Sequence, residues 1–155
     1  MFKIRKSNIN NRGLIATTNI KKNTRIVEYK GRLISKHETE TNDKFVNNKH
    51  IYLFNINKRY DLDGDYKYNT ARLINHSCNP NSEVTGKGVK LWISSIKDIK
   101  KGEELSYDYG FSFDENYKDF ICKCSSKNCC GYIVRSESRW RINKKFSMRQ
   151  QRLNK

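Results

Sequence analysis

The sequence has 155 residues, a length at which one domain buries an adequate core, so we expect one domain with at most a small appendage. It holds 32 Lys and Arg against 16 Asp and Glu, which gives a formal net charge of +16. No apolar run reaches the ~18 residues that a membrane-spanning helix needs, and the first residues lack the apolar stretch of a secretory signal. These features exclude a spanning helix and predict an intracellular, soluble protein of the cytoplasm or nucleus, with a secreted effector as the alternative.

The positive charge predicts a salt-dependent attraction to polyanions but does not choose among them. DNA, RNA, ribosomes and nucleosomes all respond to such a field. A solvated basic surface without any partner explains the same composition. The charge alone therefore identifies no function.

Short alternating segments predict a mainly β fold. Apolar and polar residues alternate at 24–31, 51–56 and 89–96, and Gly and Asn separate these segments. Between the first two, the polar stretch 35–44 suits a brief helix. Each predicted strand is short, so we expect several small sheets.

Residues 135–155 form a basic C-terminal tail. Eight Lys and Arg stand there against the single acid Glu137, a net charge of +7. We expect Trp140 and Phe146 to dock the first part of this tail on the domain. The last residues carry little that could be buried.

Four of the five cysteines fall within nine positions, and Cys78 stands apart from them. In a chain without a secretion signal, such crowding favours metal ligands over disulfides. The spacing Cys-x-Cys-x4-Cys at Cys122, Cys124 and Cys129 supplies three thiolates, whereas structural zinc takes four ligands. Cys78 and Cys130 are the two candidates for the fourth, although neighbouring thiols at 129 and 130 do not easily reach one ion.

Two longer segments carry a family resemblance: RLINHSCNPN at 72–81 and GEELSYDYG at 102–110. Together they resemble the signature pair of the SET-domain protein lysine methyltransferases, and the whole likeness covers roughly residues 2–134. The resemblance implies a SET domain at 1–114, built of short curved β-sheets around a threaded, pseudoknot-like active site. It further implies a post-SET zinc-binding flap at 115–134, followed by the tail 135–155.

The resemblance also implies an activity. The chain would transfer a methyl group from S-adenosylmethionine to a lysine side chain of a protein, with a histone or histone-like tail favoured and a nonhistone substrate such as a ribosomal protein as the alternative. The substrate would bind as an extended peptide, and we expect a monomer. A competing hypothesis is a nonenzymatic, zinc-stabilised basic protein that binds nucleic acid, which should show losses at Tyr109, Asn75 or His76. None of these is lost.

The cofactor-binding residues implied by the resemblance come from several blocks. In the family an opening Gly-x-Gly turn approaches the cofactor, and here Asn11 replaces the first glycine; Asn tolerates a positive φ, so we expect the turn to persist. The Asn75 amide can donate to the carboxylate of the cofactor, and the backbone of its loop can read the adenine edge. The full set is Arg12, Gly13, Leu14, Tyr52, Asn75, His76 and Phe120.

Tyr109 matches the catalytic tyrosine of the family. A lysine amine, with a pKa of about 10.4, is neutral in only about one molecule in 2,500 at pH 7, and only its neutral lone pair attacks a methyl sulfonium. A channel lined by Tyr109, Tyr107 and Tyr52 would disfavour the ammonium and orient the amine. Because the family tends to carry Tyr at the position of Tyr107 in enzymes that stop at one methyl group, we predict mainly monomethylation. Without the family context, such tyrosines would be ordinary core residues of a strand.

The family draws its fourth zinc ligand from the segment that contains Cys78, so the implied ligands are Cys78, Cys122, Cys124 and Cys129. This set would clamp the flap, with Phe120 and Lys123, against the active site. Removing the metal should then cost activity.

Overall fold

The computed structural model describes residues 1–46 and 52–142, and within them the fold is mainly β, as predicted. The strands are β1 (Phe2–Lys6), β2 (Arg12–Ala16), β3 (Arg25–Tyr29), β4 (Arg32–Ser35), β5 (Leu53–Asn55), β6 (Tyr60–Asp63), β7 (Asn75–His76), β8 (Ser82–Lys87), β9 (Lys90–Ser95) and β10 (Ser106–Tyr107). The helices are α1 (Lys36–Thr41), α2 (Asp43–Val46) and the 3₁₀ turns Thr70–Leu73, Tyr117–Asp119 and Ser136–Arg141.

The strands form small separate sheets, as their shortness suggested. β1 and β2 make an antiparallel pair, and two antiparallel sheets of three strands have the orders β3-β9-β8 and β4-β6-β5. The segments predicted as strands contain β3, β5 and β9, while Ile51 lies outside the described residues. A register shift between Arg25 and Val27 lets β3 bury both Ile26 and Tyr29, which a regular alternation would place on opposite faces.

The brief helix predicted near 35–44 is present as α1 and α2. Ser35 precedes α1 as its N-cap, and its hydroxyl accepts a hydrogen bond from the Glu38 backbone N–H at 3.1 Å. Lys36 Nζ lies 2.5 Å from Asp61 Oδ1 on β6. Because no residue of α1 is buried, this cap and this ion pair fix the helix where its own packing cannot.

The second signature segment, 102–110, lies between β2 and β7. Leu105 donates its backbone N–H to Leu14 O of β2 at 2.8 Å, and both side chains are fully buried. The following residues form β10, which pairs in parallel with β7 through Ser106 opposite Asn75 and Tyr107 opposite His76. The two signature segments, some thirty positions apart, therefore meet side by side at the core.

The start of the C-terminal tail packs on the domain differently from the prediction. Trp140 is 45% exposed, whereas Arg139 is only 3% exposed, so the expectation that Trp140 docks the tail is wrong. Arg139 can be buried because its guanidinium finds acceptors on three segments, which offsets the cost of removing a charge from water. Phe146, the other expected anchor, lies outside the described residues.

Among residues 1–46 and 52–142, no helix has the length and apolar character needed to cross a membrane.

Candidate active site and metal centre

A cavity of about 570 Å³ opens beside the paired signature segments. Its lining brings together six of the predicted site residues, namely Arg12, Tyr52, Asn75, Tyr107, Tyr109 and Phe120. His76 instead lines an adjoining cavity of about 150 Å³, which shares Asn10, Asn75, Tyr109 and Ile133 with the larger one. Gly13 and Leu14 line neither cavity.

The opening turn keeps its left-handed backbone although Asn11 replaces the glycine. Asn11 has φ 43°, a conformation that Asn tolerates better than most residues. Gly13 has a different requirement, because a Cβ there would lie 2.3 Å from Glu104 Oε1. Leu14 is fully buried and supports the turn from the core rather than touching the cavity.

The Asn75 amide group is tied to the wall of the cavity. Its Nδ2 lies 2.8 Å from Glu104 Oε1, 3.0 Å from Ser7 Oγ, and 3.1 Å from the carbonyl oxygens of Asn10 and Arg12. An amide nitrogen has two protons, so these acceptors use its full donor capacity. This arrangement differs from the donation to a ligand carboxylate that we expected from the sequence, and it leaves Oδ1 as the side-chain group available to a ligand.

His76 connects the tyrosine segment to the cysteine cluster. Its Nδ1 accepts a hydrogen bond from the Tyr109 backbone N–H at 3.1 Å, so the proton of a neutral ring is on Nε2, which lies 3.6 Å from Cys78 Sγ. Burial, reinforced by the charge of Arg139, lowers the pKa of His76 to about 3. The ring is therefore neutral at physiological pH, and its 3.7 Å approach to Asp108 is not an ion pair.

Tyr107 and Tyr109 lie side by side in the cavity wall with ring centroids 5.0 Å apart. Tyr109 donates its hydroxyl to Ile74 O at 2.9 Å, and Tyr107 stacks on Phe54 at 6.1 Å. Burial is the main cause that raises the pKa of both phenols above the ordinary value of 10. Both tyrosines are therefore neutral hydrogen-bonding groups at any physiological pH.

Arg72 and Tyr52 form a further part of the wall. The Arg72 guanidinium lies 5.6 Å from the centroid of the Tyr52 ring, and its NH1 is 3.8 Å from Asp65. Within the described residues, Arg72 Nε is a buried side-chain nitrogen without a hydrogen-bond partner. Arg72 was not among the predicted site residues, although it opens the first signature segment.

Two polar residues inside the signature segments organise the site without having been predicted. Asn81 donates from Nδ2 to Glu104 O at 2.8 Å and accepts at Oδ1 from the Ser106 backbone N–H at 2.9 Å. Glu104 accepts from Ser7 Oγ at 2.7 Å as well as from Asn75. Asn81 therefore joins the two signature segments to each other, and Glu104 joins both of them to the chain just after β1.

Four cysteine sulfurs gather beside this site. The Sγ atoms of Cys78, Cys122, Cys124 and Cys129 all lie within 4.8 Å of one another. Cys78 Sγ is 3.8 Å from Cys122 Sγ and 3.9 Å from Cys129 Sγ. A zinc–sulfur distance of about 2.3 Å in a tetrahedron requires sulfurs about 3.8 Å apart, so the donor set fits zinc. Cys130, the local alternative, points its sulfur at Tyr132 O, 3.2 Å away.

The fold and the site together define a class: a small, mainly β domain in which two paired signature segments build a tyrosine-lined cavity beside a cysteine cluster. The SET-domain family model matches residues 11–110. The chain therefore belongs to the SET-domain family.

Relatives named as histone-lysine N-methyltransferases are found in animals and fungi. The chain is 38% identical over 130 residues to the human protein named Histone-lysine N-methyltransferase 2D, covering 80% of this chain and 2% of that protein. It is 39% identical over 140 residues to Histone-lysine N-methyltransferase set-2 of Caenorhabditis elegans, covering 86% and 9%. It is 38% identical over 135 residues to Histone-lysine N-methyltransferase, H3 lysine-4 specific, of Schizosaccharomyces pombe, covering 82% and 14%. The chain thus spans only a small part of the length of these relatives.

Proposed function

We propose that this SET domain methylates a lysine side chain in a histone or histone-like protein tail, with S-adenosylmethionine as the methyl donor. The observation that carries the proposal is the pair of neutral tyrosines, the buried Tyr107 and the partly buried Tyr109, in the wall of a cavity that also holds Asn75. The names of the relatives favour a histone substrate over a ribosomal one.

The tyrosines suit the chemistry that a lysine amine must undergo. S-adenosylmethionine, when bound, supplies an electrophilic methyl group on a positively charged sulfonium. Apolar walls formed by Phe54 and the rings of Tyr107 and Tyr109 disfavour the ammonium form of lysine, so its proton leaves to solvent before the transfer. Because Tyr109 already donates to Ile74 O, its oxygen lone pairs remain to accept an amine N–H and aim the nitrogen lone pair.

The donor and acceptor groups of the cavity complement an amino acid zwitterion. Arg12 and Arg72 are the cationic residues in its lining, and they would attract a carboxylate. The carbonyl oxygen of Asn75, whose NH₂ group is used by the wall, would accept from the ammonium. We therefore assign the amino acid end of the methyl donor to the part of the cavity between these three residues.

The adjoining cavity suits the flat base of the donor. Ile9, Ile121 and Ile133 give it apolar walls, and the β7 backbone at His76 provides polar groups beside them. Phe120, at the border of the larger cavity, packs edge to face on Phe111 at 5.0 Å. We propose that the adenine ring binds in this smaller cavity and that Phe120 covers the donor.

Mainly monomethylation is the expected product pattern. No hydrogen bond joins the Tyr107 hydroxyl to another of the described residues, although Tyr107 lines the cavity and is only 7% exposed. The hydroxyl is thus available to hold a water or the product amine. Either would occupy the space that a second methyl group needs.

We propose that Cys78, Cys122, Cys124 and Cys129 hold a structural zinc ion. Cys78 follows β7, and the other three belong to the flap that supplies Phe120 and Ile133 to the cavity. A closed set of four thiolates would fix the flap against β7. Loss of the ion should therefore open the cavity as well as destabilise the flap.

The substrate would enter as an extended peptide that adds a strand to the domain and presents its lysine to Tyr109. We propose that residues 1–114 act as the SET domain, 115–134 as the zinc flap and 135–155 as the basic tail, in a protein that works as a monomer. The charge of +16 would attract the domain to nucleosomes through their DNA.

Radioactive methyl transfer from S-adenosylmethionine tests this function. The zinc-loaded protein should label purified core histones more strongly than ribosomal proteins, and mass spectrometry should place one methyl group on a lysine Nε. Label on ribosomal proteins alone would overturn the histone assignment. Salt-dependent DNA binding without any binding of the methyl donor would favour the nonenzymatic hypothesis instead.

A further inference from the structure

One buried arginine joins the C-terminal segment to both signature segments. Arg139 is only 3% exposed. An arginine is rarely buried unless its charge has partners, and Arg139 has three. Its guanidinium donates from Nε to Val134 O at 2.8 Å, from NH1 to Cys78 O at 2.8 Å, and from NH2 to Asp108 Oδ2 at 2.5 Å. Three parts of the chain, distant in sequence, are thus held by one side chain.

Asp108 is the residue between the two tyrosines, and it is fixed on both sides. Its Oδ1 accepts from the Gly110 backbone N–H at 3.0 Å, and its Oδ2 accepts from the Ser136 backbone N–H at 3.2 Å as well as from Arg139. Hydrogen bonds between ionised groups are shorter and stronger than those between neutral groups. The carboxylate therefore anchors the turn that follows β10.

That turn carries Tyr109 beyond the end of regular structure. β10 ends at Tyr107, and residues 108–110 belong to no strand or helix. The backbone of Tyr109 is held by its N–H bond to His76 Nδ1, and its neighbour Asp108 is held by Arg139. Without the arginine, Asp108 keeps only the hydrogen bonds from the backbone N–H groups of Gly110 and Ser136, which carry no formal charge and are weaker.

We propose that Arg139 is a positioning residue for methyl transfer, which acts through Asp108 to hold Tyr109 in place against the Cys78 segment. This inference rests on the proposed function. Arg139 lies outside residues 11–110, which match the family model, so the C-terminal segment adds a support that the matched region does not contain. Misplacing a catalytic group by about 1 Å can cost about a hundredfold in rate.

The test compares Arg139→Ala with Arg135→Ala in the full, zinc-loaded chain. Arg135 is an exposed arginine of the same segment, and its hydrogen bonds to other described residues are made by its backbone: its N–H donates to Phe111 O, and its carbonyl oxygen accepts from the Ser138 N–H. Both variants remove one positive charge. With core histones and saturating S-adenosylmethionine, Arg139→Ala should lower kcat about tenfold or more, while the Kd for S-adenosylhomocysteine stays within about twofold and zinc remains bound. Arg135→Ala should behave as the wild type.

Two milder variants keep the proposal testable if Arg139→Ala fails to fold. Arg139→Lys keeps the charge, but its single nitrogen cannot reach all three acceptors that Nε, NH1 and NH2 of the guanidinium serve separately. Its kcat should therefore lie between those of the wild type and Arg139→Ala. Asp108→Asn should lower kcat in the same way, and combining it with Arg139→Ala should cost little more than the worse single change.

Unchanged kcat in folded, zinc-bound Arg139→Ala or Arg139→Lys would overturn the proposal while leaving the proposed function intact. A loss that excess zinc restores would also overturn it, because the arginine would then act only through the metal site. Absence of methyl transfer by the wild type would refute the proposed function and this inference together.

Discussion

Tyr107→Phe removes one hydroxyl from the cavity wall and should change how many methyl groups the domain adds. The hydroxyl, or a water that it holds, fills a volume comparable to the ~30 Å³ share of a water molecule, which is about the size of the extra methyl group. Its hydrogen bond to that water or to the amine is worth about 0.5–1.5 kcal/mol, a preference of up to about tenfold for stopping after the first transfer. Tyr107→Phe should therefore raise the ratio of di- and trimethyllysine to monomethyllysine by up to about tenfold.

The fold should tolerate this change well. The ring of Tyr107, which stacks on Phe54, is retained, and its hydroxyl has no partner to lose among the described residues. We expect the free energy of unfolding to fall by less than about 1 kcal/mol. Mass spectrometry of methylated core histones measures the ratio, with Tyr68→Phe, at a tyrosine 61% exposed, as the matched control. Abundant trimethyllysine from the wild type, or an unchanged ratio in Tyr107→Phe, would refute the reasoning.

Three further predictions concern the metal, the donor site and pH. Cys129→Ser should lose zinc and most of the methyl-transfer activity, whereas Cys130→Ser, one position away but outside the sulfur cluster, should keep both. Metal analysis that finds equal zinc in the two variants would contradict the proposed ligand set. Glu104→Ala removes one of the four acceptors around the Asn75 amide and leaves the Ser7 hydroxyl without its acceptor, at a cost of about 1–3 kcal/mol. Calorimetry should therefore find S-adenosylhomocysteine bound at least about fivefold more weakly, whereas Glu103→Ala, at an exposed site, should change little. Burial raises the pKa of Tyr109 above its ordinary value, so the phenol stays protonated while the substrate amine loses its proton. The rate of methyl transfer, measured against pH, should therefore rise about tenfold per pH unit from pH 7 to 9. A maximum of this rate below pH 8 would contradict the prediction.

The family could be predicted because two uncommon sequence motifs indicate it, and the fold class because short alternating segments indicate strands. The segments 72–81 and 102–110 match a signature pair, and alternating stretches located β3, β5 and β9. The left-handed turn at Asn11 also followed from the local preference of Asn. Each of these features depends on a short stretch of sequence, whose structure is determined mainly by local conformational preference and motif spacing.

Long-range contacts could not be predicted in the same way. Nothing local to Asn75 indicates that its NH₂ group faces Glu104 and Ser7, since that depends on β2 and 102–105 lying together. Arg139 looked like one more solvated cation of a basic tail, and Trp140 like its anchor. Burial of the arginine is decided by three acceptors from separate segments, which only the folded chain brings together.

Single-turnover methyl transfer by the wild type and Tyr109→Phe tests the central claim most directly. The variant loses the hydroxyl that would orient the amine and leaves Ile74 O without its donor. We predict that the zinc-loaded wild type transfers a methyl group to a lysine Nε of core histones, and that Tyr109→Phe does so about a hundredfold more slowly while binding S-adenosylhomocysteine normally. Equal rates in the two proteins, or label on a residue other than lysine, would contradict the account.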